Sequence, residues 1–213
     1  MDRSSKYEIT KEVKETWMLS MFYLPRPDSK VIESMFSLIQ FYEKEQNPMY
    51  VLIPTSVVHT YCRNAGDCKN DYVVMNIVKY LEEIVIANLP KDLNDRKIYE
   101  KLMVAMKGIG NIGMVSSLLR KNLEAIIVDE SYPDDVKVQA IQLFRKTNCD
   151  ETRDFFMDIY QNFTQSVEVR ITSYIQVMKC PTYLTIKDIK EFLKPEKVNQ
   201  VGSFVWSFLT NLL

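Results

Sequence analysis

The chain has 213 residues, and its composition of 46% hydrophobic and 26% charged residues is that of a folded globular segment, which excludes a disordered chain. Its 27 basic and 28 acidic residues give a net charge of −1, and without a basic stripe we predict no nucleic-acid partner. No apolar run reaches the roughly 18 residues that cross a bilayer, so we predict no transmembrane segment. The first residues, Met1–Lys6, lack the pattern of a signal peptide, and no export signal is predicted in this chain.

Apolar residues recur at helical spacing along the chain, and prolines and polar turns separate the segments. We therefore predict an all-α fold of about eleven helices. Residues 1–8 are expected to be a disordered or fraying N-terminus, and residues 9–213 a single α-helical solenoid segment. Pro54 leaves two interpretations of the third helix open, a kinked helix from Met49 or a helix that begins at Pro54. The predicted helices are approximately 9–24, 29–43, 49–63, 72–88, 94–109, 114–127, 133–146, 150–162, 167–178, 185–194 and 201–212.

One helical pattern is repeated in the carboxyl-terminal third. Val136–Gln139 resembles Val167–Arg170 at an offset of about 31 residues, which lies within the periods of helical repeats. Helices of this kind bury their apolar stripes only against neighbouring pairs, so the pattern predicts a solenoid of helix pairs. The expected architecture is a right-handed α-α superhelix, a curved array of two layers.

Three patterns associated with catalysis or binding have structural explanations. Gly108–Gly113 has the G-x-G-x-x-G spacing of dinucleotide-binding folds, but no strand precedes it, so we expect these glycines to end the fifth helix and form a tight turn. His59 is the only histidine and cannot supply the imidazoles of a zinc site, so we expect it to be packed or half-exposed. We expect the acidic pairs Glu82–Glu83, Asp129–Glu130 and Asp134–Asp135 at helix ends or on solvent faces. No enzyme activity, cofactor or metal site is predicted.

The four cysteines form two pairs along the chain. Cys62 and Cys68 flank a turn-rich stretch, and their spacing leaves two alternatives open, a disulfide or two unrelated thiols. Cys149 and Cys180 end equivalent helices in adjacent repeats. Because neighbouring helices of a solenoid lie about 8–10 Å apart, too far for a bridge, we expect these two thiols to be free and partly buried.

Asn162 begins the sequence Asn162-Phe163-Thr164, which has the N-x-T pattern of a glycosylation acceptor. A glycan is attached only to proteins that enter a secretory pathway. Asn162 is therefore a candidate glycosylation site whose use depends on export of the protein.

The closing segment Val201–Ser207 resembles the end of the helical domain in the large lipid transfer proteins, a family that includes vitellogenins, apolipophorins, apolipoprotein B and the microsomal triglyceride transfer protein. Three further stretches are similar to segments of this family in the same order, namely Val58–Cys62 with Cys68, Lys107–Gly113 and Val167–Ile171. The resemblance extends from about Ile9 onward and is greatest for apolipophorin and vitellogenin. The family-like closing motif consists of Val201, Gly202, Ser203, Phe204, Val205 and Trp206.

This resemblance implies a horseshoe of paired helices in two layers, wrapped around β-sheets that enclose a lipid cavity in the complete protein. It also implies a disulfide between Cys62 and Cys68, a secreted protein, and two partners, which are lipid bound through the complete protein and the β-sheet domains of the same parent protein. The β-barrel, the cavity sheets and the signal peptide of the family are not found in this sequence, so we expect a fragment of a yolk or haemolymph type of lipid-transport protein. Its expected role is the helical scaffold around the lipid cavity.

The alternative is a stand-alone helical-repeat adaptor that binds other proteins along its concave face. The repeat pattern and the lack of a signal peptide motivate this second hypothesis. Under either hypothesis the last helix is too apolar for the exposed end of a solenoid, so we expect it to pack on a partner surface. Its apolar residues are Phe204, Val205, Trp206, Phe208, Leu209, Leu212 and Leu213.

Overall fold

The computed structural model describes residues 11–66, 68–89 and 93–211. These residues form eleven α-helices and one 3₁₀ turn, Phe144–Lys146, with no β-strand among them, so the all-α prediction is confirmed. The predicted N-terminal tail, residues 1–8, and Leu212 and Leu213 lie outside the described residues. The helices are α1 (Lys11–Met21), α2 (Ser29–Glu45), α3 (Met49–Ala65), α4 (Tyr72–Asn88), α5 (Arg96–Ile112), α6 (Ser117–Val128), α7 (Asp134–Leu143), α8 (Arg153–Gln161), α9 (Val167–Val177), α10 (Tyr183–Leu193) and α11 (Asn199–Thr210).

Local signals set the ends of these helices. Among the described residues, six N-cap side chains accept hydrogen bonds from backbone N–H groups of the first turn that follows them, and each such cap stabilises its helix by about 1 kcal/mol. At the other end, Gln46 and Gly113 take up left-handed backbone conformations that end α2 and α5. Short turns then bring consecutive helices together as hairpins. The capping residues are Asp28, Asp71, Asp95, Ser116, Ser166 and Thr182.

The helices are arranged in two layers. Hairpin partners pack on each other in the pairs α2 with α3, α4 with α5, α6 with α7 and α8 with α9. The odd-numbered helices also contact one another in series from α1 to α11, and we call these six helices the odd layer. On the other side α2 contacts α4, and α4 contacts α6. Stacking of hairpin on hairpin is the arrangement that the repeat pattern predicts.

The core lies between the two layers. Its side chains recur at spacings of three and four residues, so each helix contributes one buried stripe. Full burial of one such aliphatic side chain contributes about 1.5–3 kcal/mol. None of the described helices combines the length and the apolar character needed to cross a membrane. Fully buried core residues of α4 and α5 include Val74, Ile77, Leu81, Val85, Leu102, Met106 and Ile109.

Gly108 and Gly110 lie inside α5, so the prediction that they end this helix is wrong. Gly113 alone makes the turn, with φ of 85°. A Cβ atom at Gly108 would lie 2.8 Å from Cγ1 of Val51 on α3, and one at Gly110 would lie 3.1 Å from the Cα of Leu143 on α7. The two helical glycines therefore allow α5 to approach both of its neighbours in the odd layer.

Pro54 lies inside α3, because the helix begins at Met49 and continues to Ala65. The alternative start at Pro54 is therefore wrong. The acidic pair Glu82–Glu83 also differs from the expectation, since Glu82 is only 8% exposed. Its carboxylate accepts a hydrogen bond from the backbone N–H of Ser116 at 2.7 Å, which links α4 to the start of α6.

Candidate functional site

The closing motif lies on α11 and is divided between two faces of this helix. Val201 and Val205 are fully buried, and the ring of Phe204 packs edge-to-face on Tyr174 of α9, with 6.1 Å between ring centroids. Trp206, by contrast, is 66% exposed. One face of the motif thus attaches α11 to the odd layer, and the other presents an indole ring to the surroundings.

An open cleft of about 1,230 Å³ separates α10 from α11. These two helices pack on each other less extensively than the helices of the other hairpins do, which leaves the space between them open. We call it the α10–α11 cleft. Apolar groups dominate its walls, which are formed by both helices and the loop between them and include Ile186, Leu193, Val198, Gly202, Trp206 and Leu209.

Three lysines also line the α10–α11 cleft, Lys190, Lys194 and Lys197. Lys194 forms an exposed ion pair with Glu191, with Nζ and Oε2 separated by 2.6 Å. Among the described residues that line the cleft, Glu196 is the only acidic one, and its carboxylate is engaged elsewhere. The cleft therefore combines apolar walls with an excess of positive charge.

A buried ion pair holds the connection between α10 and α11. Arg170 of α9 and Glu196 are joined by a hydrogen-bonded ion pair, and their side chains are 1% and 2% exposed. Arg170 Nε also donates to the carbonyl of Tyr160 at 2.9 Å, and its guanidinium lies 4.9 Å from the ring centre of Phe163. Burial by itself would raise the pKa of Glu196, but the hydrogen bonds from Arg170 and from backbone N–H groups outweigh it and keep the pKa below its usual value.

Aromatic rings attach α10 to the rest of the fold. Phe192 packs on Tyr160, at 5.3 Å between centroids, and stacks on Phe163 at 5.1 Å. Burial raises the pKa of Tyr160 to about 12, so this ring stays neutral at physiological pH. The cleft is therefore open on the α11 side of α10, while the other side of α10 is fixed by packing.

Basic side chains connect successive helices of the odd layer at their carboxyl ends. Lys146 Nζ donates to the carbonyl of Asn111 at 3.0 Å. One repeat further on, Lys179 Nζ donates to the carbonyl of Phe144 at 2.7 Å. His59 Nδ1 lies 3.2 Å from the last backbone carbonyl oxygen of α5. Helix carboxyl ends carry partial negative charge, so basic groups are favourable there. We call these three contacts the carbonyl ladder.

His59 is half-buried, as predicted, and its pKa is lowered because burial disfavours the imidazolium and Lys146 adds a nearby positive charge. The unfolded chain, with a histidine pKa of about 6.5, then binds the proton first as pH falls. The contribution of His59 to the free energy of unfolding is therefore fully present above about pH 6.5, and it decreases as pH falls towards the folded-state pKa. We expect the urea midpoint to decrease between about pH 7.5 and 5.5 in the native chain but not in His59→Gln. An NMR pKa at or above that of a free imidazole would contradict this expectation.

Both cysteine pairs are bonded in the structure, with Cα atoms 5.2 Å apart for Cys62 and Cys68 and 6.3 Å apart for Cys149 and Cys180. The prediction that Cys149 and Cys180 are free is therefore wrong. Both lie in turns that follow odd-layer helices, and their Cα separation of 6.3 Å is shorter than the roughly 8–10 Å between packed helix axes on which the prediction rested. The second bridge joins two adjacent repeats of the solenoid.

Asn162 is exposed in the turn between α8 and α9. Its side-chain oxygen accepts hydrogen bonds from Thr164, from the backbone N–H at 2.9 Å and from the hydroxyl at 2.8 Å. The side-chain nitrogen of Asn162 has no acceptor among the described residues. The sequon is thus accessible at the surface of the fold.

The sequence does not predict the roles of Arg170, Glu196 and the lysines of the cleft. One signal was present, since Arg170 lies between the apolar residues Val169 and Ile171 in a predicted helix. A buried arginine needs a partner, but local sequence does not indicate that this partner follows 26 residues later. The lysines gave no signal, because exposed lysines are common on helices.

The fold and the inter-repeat contacts define a class, the two-layer helical-repeat domains in which hydrogen bonds and disulfides join neighbouring hairpins. The sequence profile of the Vitellogenin TPR domain matches residues 4–210. The chain belongs to this family, and the relationship predicted from the closing motif is confirmed.

Similar proteins include apolipophorins of Locusta migratoria, 27% identical over 209 residues, which cover 95% of this chain and 6% of that protein. Vitellogenin of Penaeus merguiensis is 25% identical over 196 residues, 91% of this chain and 7% of that protein. Apolipophorins of Manduca sexta are 31% identical over 154 residues, 71% of this chain and 5% of that protein. The chain thus spans less than a tenth of these relatives.

The fold is similar to that of a solved structure concerned with lipid–protein interactions in lipovitellin. The two superpose with a TM-score of 0.77 at 21% identity, over 97% of this chain and 22% of the other. The two-layer helical architecture is therefore shared with lipovitellin.

Proposed function

We propose that this chain is part of a secreted lipid-transport protein of the yolk or haemolymph lipoprotein type, and that it forms the helical scaffold around the lipid cavity of that protein. The observation that carries this proposal is the family match over residues 4–210, because its relatives are apolipophorins and vitellogenins. The chain's own contribution is mechanical. The carbonyl ladder and the bridge between Cys149 and Cys180 join adjacent repeats, which suits a shell that has to keep its shape while its lipid content changes.

The partner of this scaffold is, in our proposal, β-sheet structure of the same parent protein. A groove of about 530 Å³ crosses the odd layer from α1 to the 3₁₀ turn, and its lining includes Leu19, Phe22 and Ile53. Leu19 is 53% exposed and Phe22 is 58% exposed. Exposed apolar side chains that adjoin a groove are typical of a surface that is covered in the complete protein.

The test is the lipid content of the exported protein. Cells that produce the parent protein are cultured, the protein containing this chain is isolated from the medium, and its bound acyl lipid is measured. We expect lipid to co-purify, and less of it with Leu19→Glu/Phe22→Glu, since two carboxylates at the groove would prevent close packing. Tyr23→Glu is the matched control, because Tyr23 is 81% exposed and does not line the groove. A lipid-free protein that is retained in the cytosol with protein partners would contradict the proposal. It would favour the alternative hypothesis of a stand-alone helical-repeat adaptor.

Export also makes Asn162 a modification site in our proposal. When the 213-residue chain is produced behind a secretion signal in animal cells, we expect a mass increase that a peptide N-glycosidase removes. Asn162→Gln and Thr164→Ala should both lack the increase, while Ser166→Ala, outside the sequon, should retain it. A secreted wild-type chain with unmodified Asn162 would contradict this expectation.

A further inference from the structure

The α10–α11 cleft has a chemical character that the scaffold role does not use. Its apolar groups come from both helices, from Ile186 and Leu193 on one side and from Leu209 on the other. Trp206 lies at the same cleft and remains 66% exposed. The volume of about 1,230 Å³ is above the 300–1,000 Å³ that is usual for small-molecule sites. An elongated apolar group of many carbon atoms would cover these side chains.

The charges around the cleft are not balanced. Lys190 and Lys197 form no ion pair with any residue that the structure describes, and Lys194 is paired with Glu191. Glu196 is committed to Arg170 by the buried ion pair. The cleft therefore has two lysines without a carboxylate partner. An anion brought to this position would gain attraction without breaking an existing ion pair.

We propose that the α10–α11 cleft binds the anion of a long-chain fatty acid. The acyl chain would lie on the apolar walls and beneath Trp206, and the carboxylate would face Lys190 and Lys197. An inorganic anion would leave the walls uncovered, and a neutral lipid would leave the lysines without a counterion. This site is formed by helices alone and is separate from the lipid cavity of the proposed function, so either proposal can fail without the other.

The chain offers a direct probe, because Trp17 and Trp206 are its only tryptophans. Trp17 lies on α1, at the opposite end of the odd layer, and Trp17→Phe leaves Trp206 as the single tryptophan, whose indole is excited selectively over the tyrosines at long wavelength. Dibromostearate, a fatty acid with bromine atoms that quench indole on contact, is titrated into this variant. We expect saturable quenching at one molecule per chain.

Charge reversal tests the recognition of the carboxylate. Lys190→Glu/Lys197→Glu should weaken dibromostearate binding roughly tenfold or more, since two exposed ion pairs are lost. Lys187→Glu with Trp17→Phe is the matched control, because Lys187 is on the same helix and does not line the cleft. The affinity of this control variant for dibromostearate should not change. Circular dichroism checks that each variant keeps its helix content.

Three outcomes would overturn the proposal. The first is an absence of quenching in the Trp17→Phe chain. The second is equal quenching by dibromostearyl alcohol, which would mean apolar adsorption without recognition of a carboxylate. The third is a doubled mass in light scattering together with a shielded Trp206 before any lipid is added, which would mean that a second copy of the chain occupies the cleft.

Discussion

Replacing Arg170 with alanine is expected to lower the free energy of unfolding by about 3–5 kcal/mol, the range for breaking a buried ion pair from one side. The reason is the position of Glu196, whose side chain is 2% exposed. Without the guanidinium, this carboxylate either stays charged without a cationic partner or takes up a proton, and both options destabilise the folded state. Urea unfolding at neutral pH, followed by circular dichroism, measures the change.

A double-mutant cycle separates this ion pair from the packing of the arginine stem. Arg170→Met and Glu196→Gln are measured singly and together, and we expect a coupling energy of about 2–3 kcal/mol. The exposed pair Lys194–Glu191 is the matched control, since its side chains are 70% and 60% exposed. Lys194→Ala should change stability by less than about 1 kcal/mol. Equal effects at Arg170 and Lys194 would show that the buried pair does not hold the loop before α11.

Removal of the bridge between Cys149 and Cys180 is expected to destabilise the chain by about 3–4 kcal/mol. This disulfide closes a loop with a sequence separation of 31, whereas Cys62 and Cys68 are separated by 6. Because a longer loop restricts the unfolded chain more, Cys62→Ala/Cys68→Ala should have the smaller effect, about 2 kcal/mol. Thermal and urea unfolding of the two double variants in oxidising buffer measure this order.

Reduction of the wild-type chain provides the control. A reductant should lower the stability of the wild-type chain by at least as much as Cys149→Ala/Cys180→Ala does. In that double variant the reductant can break only the bridge between Cys62 and Cys68, so the further loss of stability should be the smaller one. Peptide mapping without reduction identifies the linked cysteines directly. Two free thiols at Cys149 and Cys180 in protein exported by cells, together with unchanged stability of the double variant, would contradict the structure at this point.

The helices themselves could be predicted from sequence, because each of them carries its own local signals. The predicted limits of α4, Tyr72 and Asn88, are those of the structure, since apolar spacing, a capping aspartate and a following proline agree there. The predicted limits of α5, 94–109, were less accurate, because this helix runs from Arg96 to Ile112. Helical spacing continues through Gly108 and Gly110, and the propensity of glycine to end helices was overridden by close packing against α3 and α7.

Contacts between distant residues could not be predicted in the same way. The pairing of Arg170 with Glu196, and of Cys149 with Cys180, depends on how one hairpin leans on the next, which helical periodicity does not specify. The distance between helix axes does not apply to Cys149 and Cys180, because both residues lie in turns. The carbonyl ladder could not be predicted either. Nothing in the local sequence distinguishes Lys146 and Lys179 from other lysines, and only the fold brings them to backbone carbonyls of the preceding repeat.

The candidate site was anticipated in part. The apolar closing motif predicted a surface at α11 that needs a partner, and Trp206 is exposed there. The sequence did not reveal that α10 and α11 are separated by a cleft, because that separation results from Phe192 and Glu196 holding α10 and its loop towards α8 and α9. Family membership followed from the motifs alone, whereas the geometry of the cleft required coordinates.

The most direct test of the scaffold role is an electron cryomicroscopy map of the exported parent protein with its lipid. We predict that the map contains this chain as paired helices in two layers, with the groove beside Leu19 and Phe22 facing β-sheets that enclose lipid density. A map in which that groove faces only solvent, or in which lipid density lies away from any sheet that these helices contact, would contradict the account.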